Sequence, residues 1–188
     1  MEFLSDLWLP ILLSSVFVFV ASSIMHMALP FHKRDYKKLP DEADVLDAMR
    51  THGVAPGHYM FPCAGSMKDS CTPEMIEKYE KGPCGFMTVV PTGRPAMGKS
   101  LVQWFLYSLL VSVLAAYVAR VGRGPGADYL EVFRVTGTAA ILGYAVGSLQ
   151  DSIWKGQSWG ITLKFIFDGV LYGLLTAGTF GWLWPGGV

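Results

Sequence analysis

Neither sign of charge is in excess in this chain, where 15 Lys and Arg balance 15 Asp and Glu. A domain that grips nucleic acid by its phosphates carries a basic surplus, so nucleic acid is not expected as a partner. Cysteine is scarce, and Cys63, Cys71 and Cys84 make an odd count too small for a disulfide scaffold. No nucleophile elbow, HExxH helix, paired-carboxylate motif or dinucleotide fingerprint occurs, which removes the enzyme classes recognisable from short motifs. Repeats and low-complexity tracts are missing too. The chain is expected to be non-enzymatic.

Charge is also missing from the long apolar stretches. Residues 7–29 and 101–119 contain no Asp, Glu, Lys or Arg, residues 135–150 contain none either, and residues 165–184 contain only Asp168. At about 1.5 Å per residue, runs of about 20 residues cross a hydrocarbon core of about 30 Å. The third run is short, so Val132, Phe133 and Ile153 extend it with help from snorkelling side chains. The expected fold is an all-α membrane protein with four transmembrane helices at 7–29, 101–119, 132–153 and 163–184. The first is expected to remain as an anchor and not be cleaved, because Glu2 and Asp6 stand where a signal peptide has its positive region. All six tryptophans lie at the ends of these runs, as indole rings do where hydrocarbon meets water.

Between the first two runs, residues 30–100 read as a small α+β insertion. Asp41 precedes Val45, Leu46 and Met49 at helical spacing, and Gly53 ends that pattern. Thr72, Pro73 and Glu74 open a second helix that Gly82-Pro83 stops. His58 to Phe61 and Cys84 to Val90 read as short strands. Lys33, Arg34, Lys37, Lys38, Arg94, Lys99, Lys155 and Lys164 flank one side of the expected membrane, against Arg120, Arg123 and Arg134 on the other. That asymmetry predicts a plasma (inner) membrane protein with both termini outside and the insertion cytoplasmic, where reduced cysteines belong.

One motif opposes the non-enzymatic reading. Residues Gly93 to Ser100 fit G-x-x-x-x-G-K-[ST], after a strand and before a helix, the context of a phosphate-binding loop. The following helix is apolar all round, however, and no second strand ends in an Asp that would hold Mg²⁺. The insertion is also too short for a doubly covered parallel sheet. The match is read as chance in a chain with 21 glycines, Lys99 as an interfacial anchor, and nucleotide is not expected.

Three features carry what functional signal remains. Ala139, Gly143 and Gly147 on the third run, and Gly169, Gly173, Ala177 and Gly181 on the fourth, recur every four residues, with Ser108, Ser112 and Ala116 as a weaker row on the second. Such rows let helix backbones approach closely in lipid. The function expected first is therefore an accessory or assembly subunit of a membrane complex, with lipid and other membrane subunits as partners. A copper or zinc handling protein is the alternative, using Met25, His26, Met27, His58, Cys63, Cys71 and Cys84, with His32 nearby. No cofactor is otherwise expected; haem ligation by His26 would need a second His on an opposing helix. The other alternative is a small-solute or proton transport component built on Asp168, since ionisable groups within a membrane are functional candidates. Same-helix pairs Glu131 with Arg134, Asp151 with Lys155 and Lys164 with Asp168 are expected to neutralise one another. Lys before Asp is the poorer order, which leaves Asp168 free to accept from a neighbouring helix.

Overall fold

A computed structural model describes residues 2–186. A short helix, α1 (Glu2–Asp6), leads into α2 (Trp8–Ser23), which continues as a π-helical turn, Ile24–Ala28. The insertion holds α3 (Glu42–Thr51), β1 (Gly57–Phe61), α4 (Pro73–Lys81) and β2 (Gly85–Val89). Then follow α5 (Met97–Gly122), α6 (Tyr129–Tyr144), α7 (Leu149–Lys155) and α8 (Trp159–Leu183). Four helical stretches are long and apolar enough to cross a membrane: Trp8–Ala28, Met97–Gly122, Tyr129–Lys155 and Trp159–Leu183. We refer to them as spans one to four. Their outer faces expose large apolar side chains, among them Leu12, Phe17, Leu106, Leu114, Leu142 and Phe167. Water-soluble monomers rarely expose such surfaces, and lipid accommodates them.

Span two starts at Met97 and ends at Gly122, so Lys99 and Arg120 lie within it, near its ends. Span four starts at Trp159, four residues before the expected boundary, so Asp168 lies nine positions into a 25-residue helix. At about 1.5 Å per residue that is about 14 Å from the helix start.

Span three is not one helix. It breaks at Ala145 into a 3-10 turn, Val146–Ser148, before α7 resumes. Gly147 has low helix propensity, and the Ser148 hydroxyl donates to the Ala145 carbonyl at 2.6 Å, competing with the helical ladder.

Spans three and four share the closest packing, yet not along the two rows read from the sequence. A Cβ added at Gly169 would stand 2.7 Å from the Ala145 Cα, and one at Gly181 2.7 Å from the Tyr129 ring. Gly173 faces the Ile141 backbone, and Ala177 faces Gly137. The row on span four is therefore filled by the same chain. On span three the row divides. Gly143 faces Val111 of span two, Ala139 is half-buried, and Gly147 has nothing within 4 Å of an added Cβ. A 3.6-residue turn rotates positions four apart, and the break at Ala145 carries Gly147 away from the seam. Ser108, Ser112 and Ala116 are fully buried, and Ser112 Oγ lies 3.0 Å from Ser14 Oγ and 3.2 Å from Ser15 Oγ of span one.

At the end of the bundle where span one starts and span four ends, Leu7, Ile11, Ala116, Val132 and Phe180 form a buried apolar cluster. The opposite end is polar and carries the site described below. The insertion follows its expected elements closely. β1 and β2 pair antiparallel with Gly57 opposite Val89 and Phe61 opposite Gly85. Gly53 sits at φ +66 after α3, as a helix end in the left-handed region requires. Asp41 precedes α3 but makes no side-chain cap; its carbonyl accepts from the Asp44 and Val45 amides instead. No residue from 36 to 100 is buried, so the unit beyond Asp35 has no core of its own.

Gly169→Ala tests the span three to span four seam. Helix propensity alone would stabilise it by about 1 kcal/mol. The clash with Ala145 is expected to outweigh that and give a net loss of about 1–3 kcal/mol, seen as a lower melting temperature in detergent. Gly147→Ala, into open space, is expected to leave stability unchanged. A Gly169→Ala protein as stable as the parent would contradict this packing.

Candidate functional site

Span one carries Met25, His26 and Met27 on its π-helical turn, a wider turn than the α-helix and one frequent at functional positions. Leu29 is extended, as the residue before a proline prefers to be, and the 3-10 turn Pro30–His32 follows. That turn brings His32 against span four. His32 Nε2 lies 2.8 Å from Asp168 Oδ2, and His32 Nδ1 lies 2.6 Å from Asp35 Oδ2. Lys164 donates to the other Asp35 oxygen and, at 2.8 Å, to the Phe31 carbonyl. His26 stacks on His32 with ring centroids 4.2 Å apart, and its Nε2 is 3.4 Å from Asp168 Oδ2. The two carboxylate side chains are only 4% (Asp35) and 2% (Asp168) exposed.

This arrangement fixes a proton count. A neutral imidazole carries one N–H, so hydrogen bonds from both His32 nitrogens to two carboxylates require a second proton on the Asp35, His32 and Asp168 set. With Lys164 beside Asp35, that proton brings the group to charge balance. A buried set without it would hold an uncompensated negative charge, which costs several kcal/mol.

Asp35 lies outside the spans. The Lys164 ammonium holds its carboxyl below the usual carboxylate range, the His32 hydrogen bond acts the same way, and burial opposes both.

Beside the cluster, a cavity of about 580 Å³ opens between the spans. It is lined by His26, Asp168 and Phe165, by Ser148 and Asp151 beyond the break in span three, and by a set of aromatic rings. Trp104 lies 5.5 Å from Tyr107, 6.2 Å from Tyr144 and 6.0 Å from Tyr172, centroid to centroid. Trp104 donates to Ser22 Oγ at 2.7 Å, and Tyr107 to the Gly143 carbonyl at 2.5 Å. Trp104 thus faces inward and does not belong to a lipid-boundary belt. Trp8, Trp154, Trp159 and Trp182 remain exposed at helix ends, and Trp184 donates to the Gly124 carbonyl.

Of the same-helix pairs, Asp151 with Lys155 forms, at 2.7 Å. Glu131 instead lies 3.2 Å from Arg123 Nε, an ion-pair contact without hydrogen-bond alignment. Lys164 turns away from Asp168 to Asp35. The unfavourable order of that pair was the sequence signal for a partner elsewhere.

The soft-ligand candidates do not converge. Cys63, Cys71 and Cys84 are exposed and free, and each sulfur touches only its own neighbourhood: the Ala64 carbonyl, Ser70 Oγ and the Tyr79 carbonyl. His58 pairs across the ribbon with Thr88 Oγ1 at 3.1 Å. Met25 lines a separate apolar groove, and Met27 borders the cavity with His26. Among the described residues, the one group of three ligand-type side chains is His26, His32 and Asp168, whose atoms lie within 4.8 Å of one another. Two imidazoles stacked 21° from parallel send their in-plane lone pairs side by side. One ring must turn before both nitrogens reach a single ion, so the arrangement does not fit a preformed metal site.

No protein family matches this sequence, and no curated protein or solved structure is significantly similar to it. What the fold defines is a helical chain with four helices able to span a membrane and a two-stranded ribbon in the insertion.

The Asp35 shift sets a pH dependence. A carboxylate held below its ordinary range adds stability that is present above about pH 4 and is lost as pH falls through the folded value. Asp35→Asn is therefore expected to lower the melting temperature near neutral pH by about 2–4 °C. The gap to the parent should close in acid, followed by thermal denaturation across pH. A gap that stays constant into acid would refute the assignment.

Proposed function

We propose that this protein is a proton-coupled small-solute transport component, with Asp168 as its central group. The observation that carries this reading is His32 held between two buried carboxylates, one of them near the middle of an apolar helix. Asp35, His32, Asp168 and His26 form a hydrogen-bonded and stacked chain from the polar edge of the bundle to the cavity. A chain of this kind holds one exchangeable proton and offers it to whatever occupies the cavity.

Two backbone irregularities support the same reading. Irregular backbone at membrane depth is tolerated where it lines a cavity or packs inside protein. The π-helical turn of span one and the 3-10 break of span three both border this cavity, as broken helices border substrate sites in transporters. The accessory-subunit reading drew on small-residue faces, and span three already fills the face on span four. The metal reading is set back by the stacked imidazoles. The Lys and Arg distribution directs the cavity mouth to the cytoplasm under the expected topology.

A pH step tests the proposal without knowledge of the solute. Proteoliposomes adsorbed on a solid-supported membrane are expected to give a transient current as protons enter the cluster. Asp168→Asn and His32→Gln should abolish it, whereas Cys63→Ser, remote from the cluster, should retain it. Parent protein that gives no transient beyond empty liposomes would contradict the proposal.

A further inference from the structure

The cavity is much larger than a proton site needs. Its volume of about 580 Å³ falls among pockets that hold small organic molecules, about 300–1,000 Å³. Two independent features describe what would fill it. First, the formally charged side chains on its described wall are carboxylates, of which Asp151 is already paired with Lys155. Asp168 and Asp151 line it, while none of the described residues lining it is Lys or Arg. Second, two of its polar groups lack partners. Asp168 Oδ1 and the Tyr172 hydroxyl are both buried without a hydrogen bond. Residues four apart on a helix share a face, so these two groups lie one turn from each other on α8.

An unpartnered carboxylate oxygen and phenol are costly in a buried setting, and a donor that satisfied both would recover that cost. Four more lining residues are aromatic, Trp104, Tyr107, Tyr144 and Phe165, beside serines and apolar side chains. Such rings attract a cation through their faces and accept an apolar body against their planes.

We propose that this cavity binds a protonated organic amine with an apolar, ring-sized body, its ammonium group donating to Asp168 Oδ1 and the Tyr172 oxygen and its charge replacing that of the exchangeable proton, which leaves the Asp35, His32 and Asp168 set to water. This assignment rests on the transport reading above and names its solute class. A quaternary ammonium lacks the N–H groups that the two orphan acceptors call for, and an anion would meet two carboxylates.

The test uses the full chain purified in detergent, with 2-phenylethylamine as the cationic probe. 2-Phenylethanol and phenylacetate serve as neutral and anionic counterparts of the same shape. Titration calorimetry and tryptophan fluorescence, to which Trp104 contributes, report binding. The amine is expected to bind with a Kd of about 1 mM or tighter, the alcohol at least about tenfold more weakly, and phenylacetate not at all. Asp168→Asn should remove the preference for the amine over the alcohol. Tyr172→Phe, which keeps the ring, should weaken amine binding about fivefold. An amine that binds no better than the alcohol, or not at all up to about 10 mM, overturns the proposal. Should Asp168→Asn fail to fold, the three probes on the parent and the Tyr172→Phe protein still decide it. The pH-step current on the same preparation separates the two readings: current without amine binding rejects this solute class alone, and loss of both rejects both.

Discussion

A carboxylate buried near the middle of an apolar helix must be met by polar partners, and the architecture at one end of this bundle follows from meeting that demand. Asp168 has no partner on its own helix, because Lys164 is drawn to Asp35. Its partners come from the far end of span one, where a π-helical turn and a proline turn place His26 and His32 against span four. Asp35 then closes the other side of His32, and Lys164 closes Asp35. Each group answers a charge or a donor left by the one before. Removing one partner of a buried pair typically costs about 3–5 kcal/mol, since the other is left uncompensated. The cluster therefore fixes the position of the chain between span one and the insertion.

The packing at the other end has a different basis. There, apolar side chains and glycine-lined contacts bring the helices together, with Gly173 and Gly181 letting span three approach span four. Gly169 ties the two regimes together. It lies next to Asp168, and its contact with Ala145 falls where span three breaks. Close approach at that point and the turn beyond it carry Ser148 and Asp151 to the cavity. Tight packing on one face of span four and a cavity on the adjoining face thus arise from neighbouring residues.

Much of the fold was legible in the sequence, because hydropathy over about 20 residues and Gly/Pro punctuation are strong local signals. The four apolar runs became four long helical stretches, the third of them broken, and both helices and both strands of the insertion lie within a few residues of their expected places. The break in span three was masked: it contains no proline, and Gly147, its one mark, was read as part of a packing row. The inward turn of Trp104 was equally hidden, since hydropathy does not tell which face of an apolar helix meets protein. Asp168 stood out as the single acid of its run, and its unfavourable spacing from Lys164 pointed to a partner elsewhere. That the partner is His32, with Asp35 behind it, depends on a contact between positions 136 apart, which no local pattern encodes. Cys63, Cys71 and Cys84 drew notice by their chemistry alone, and residue type carries no information on proximity: the three lie exposed and apart.

The central claim is that His32 and Asp168 depend on each other. A double-mutant cycle in detergent or lipid, with His32→Ala, Asp168→Asn and the combined variant followed by unfolding, measures that dependence directly. Contacting members of one buried polar network couple by about 0.5–3 kcal/mol. The account predicts a coupling of about 1 kcal/mol or more. Strictly additive effects of the two substitutions would contradict it.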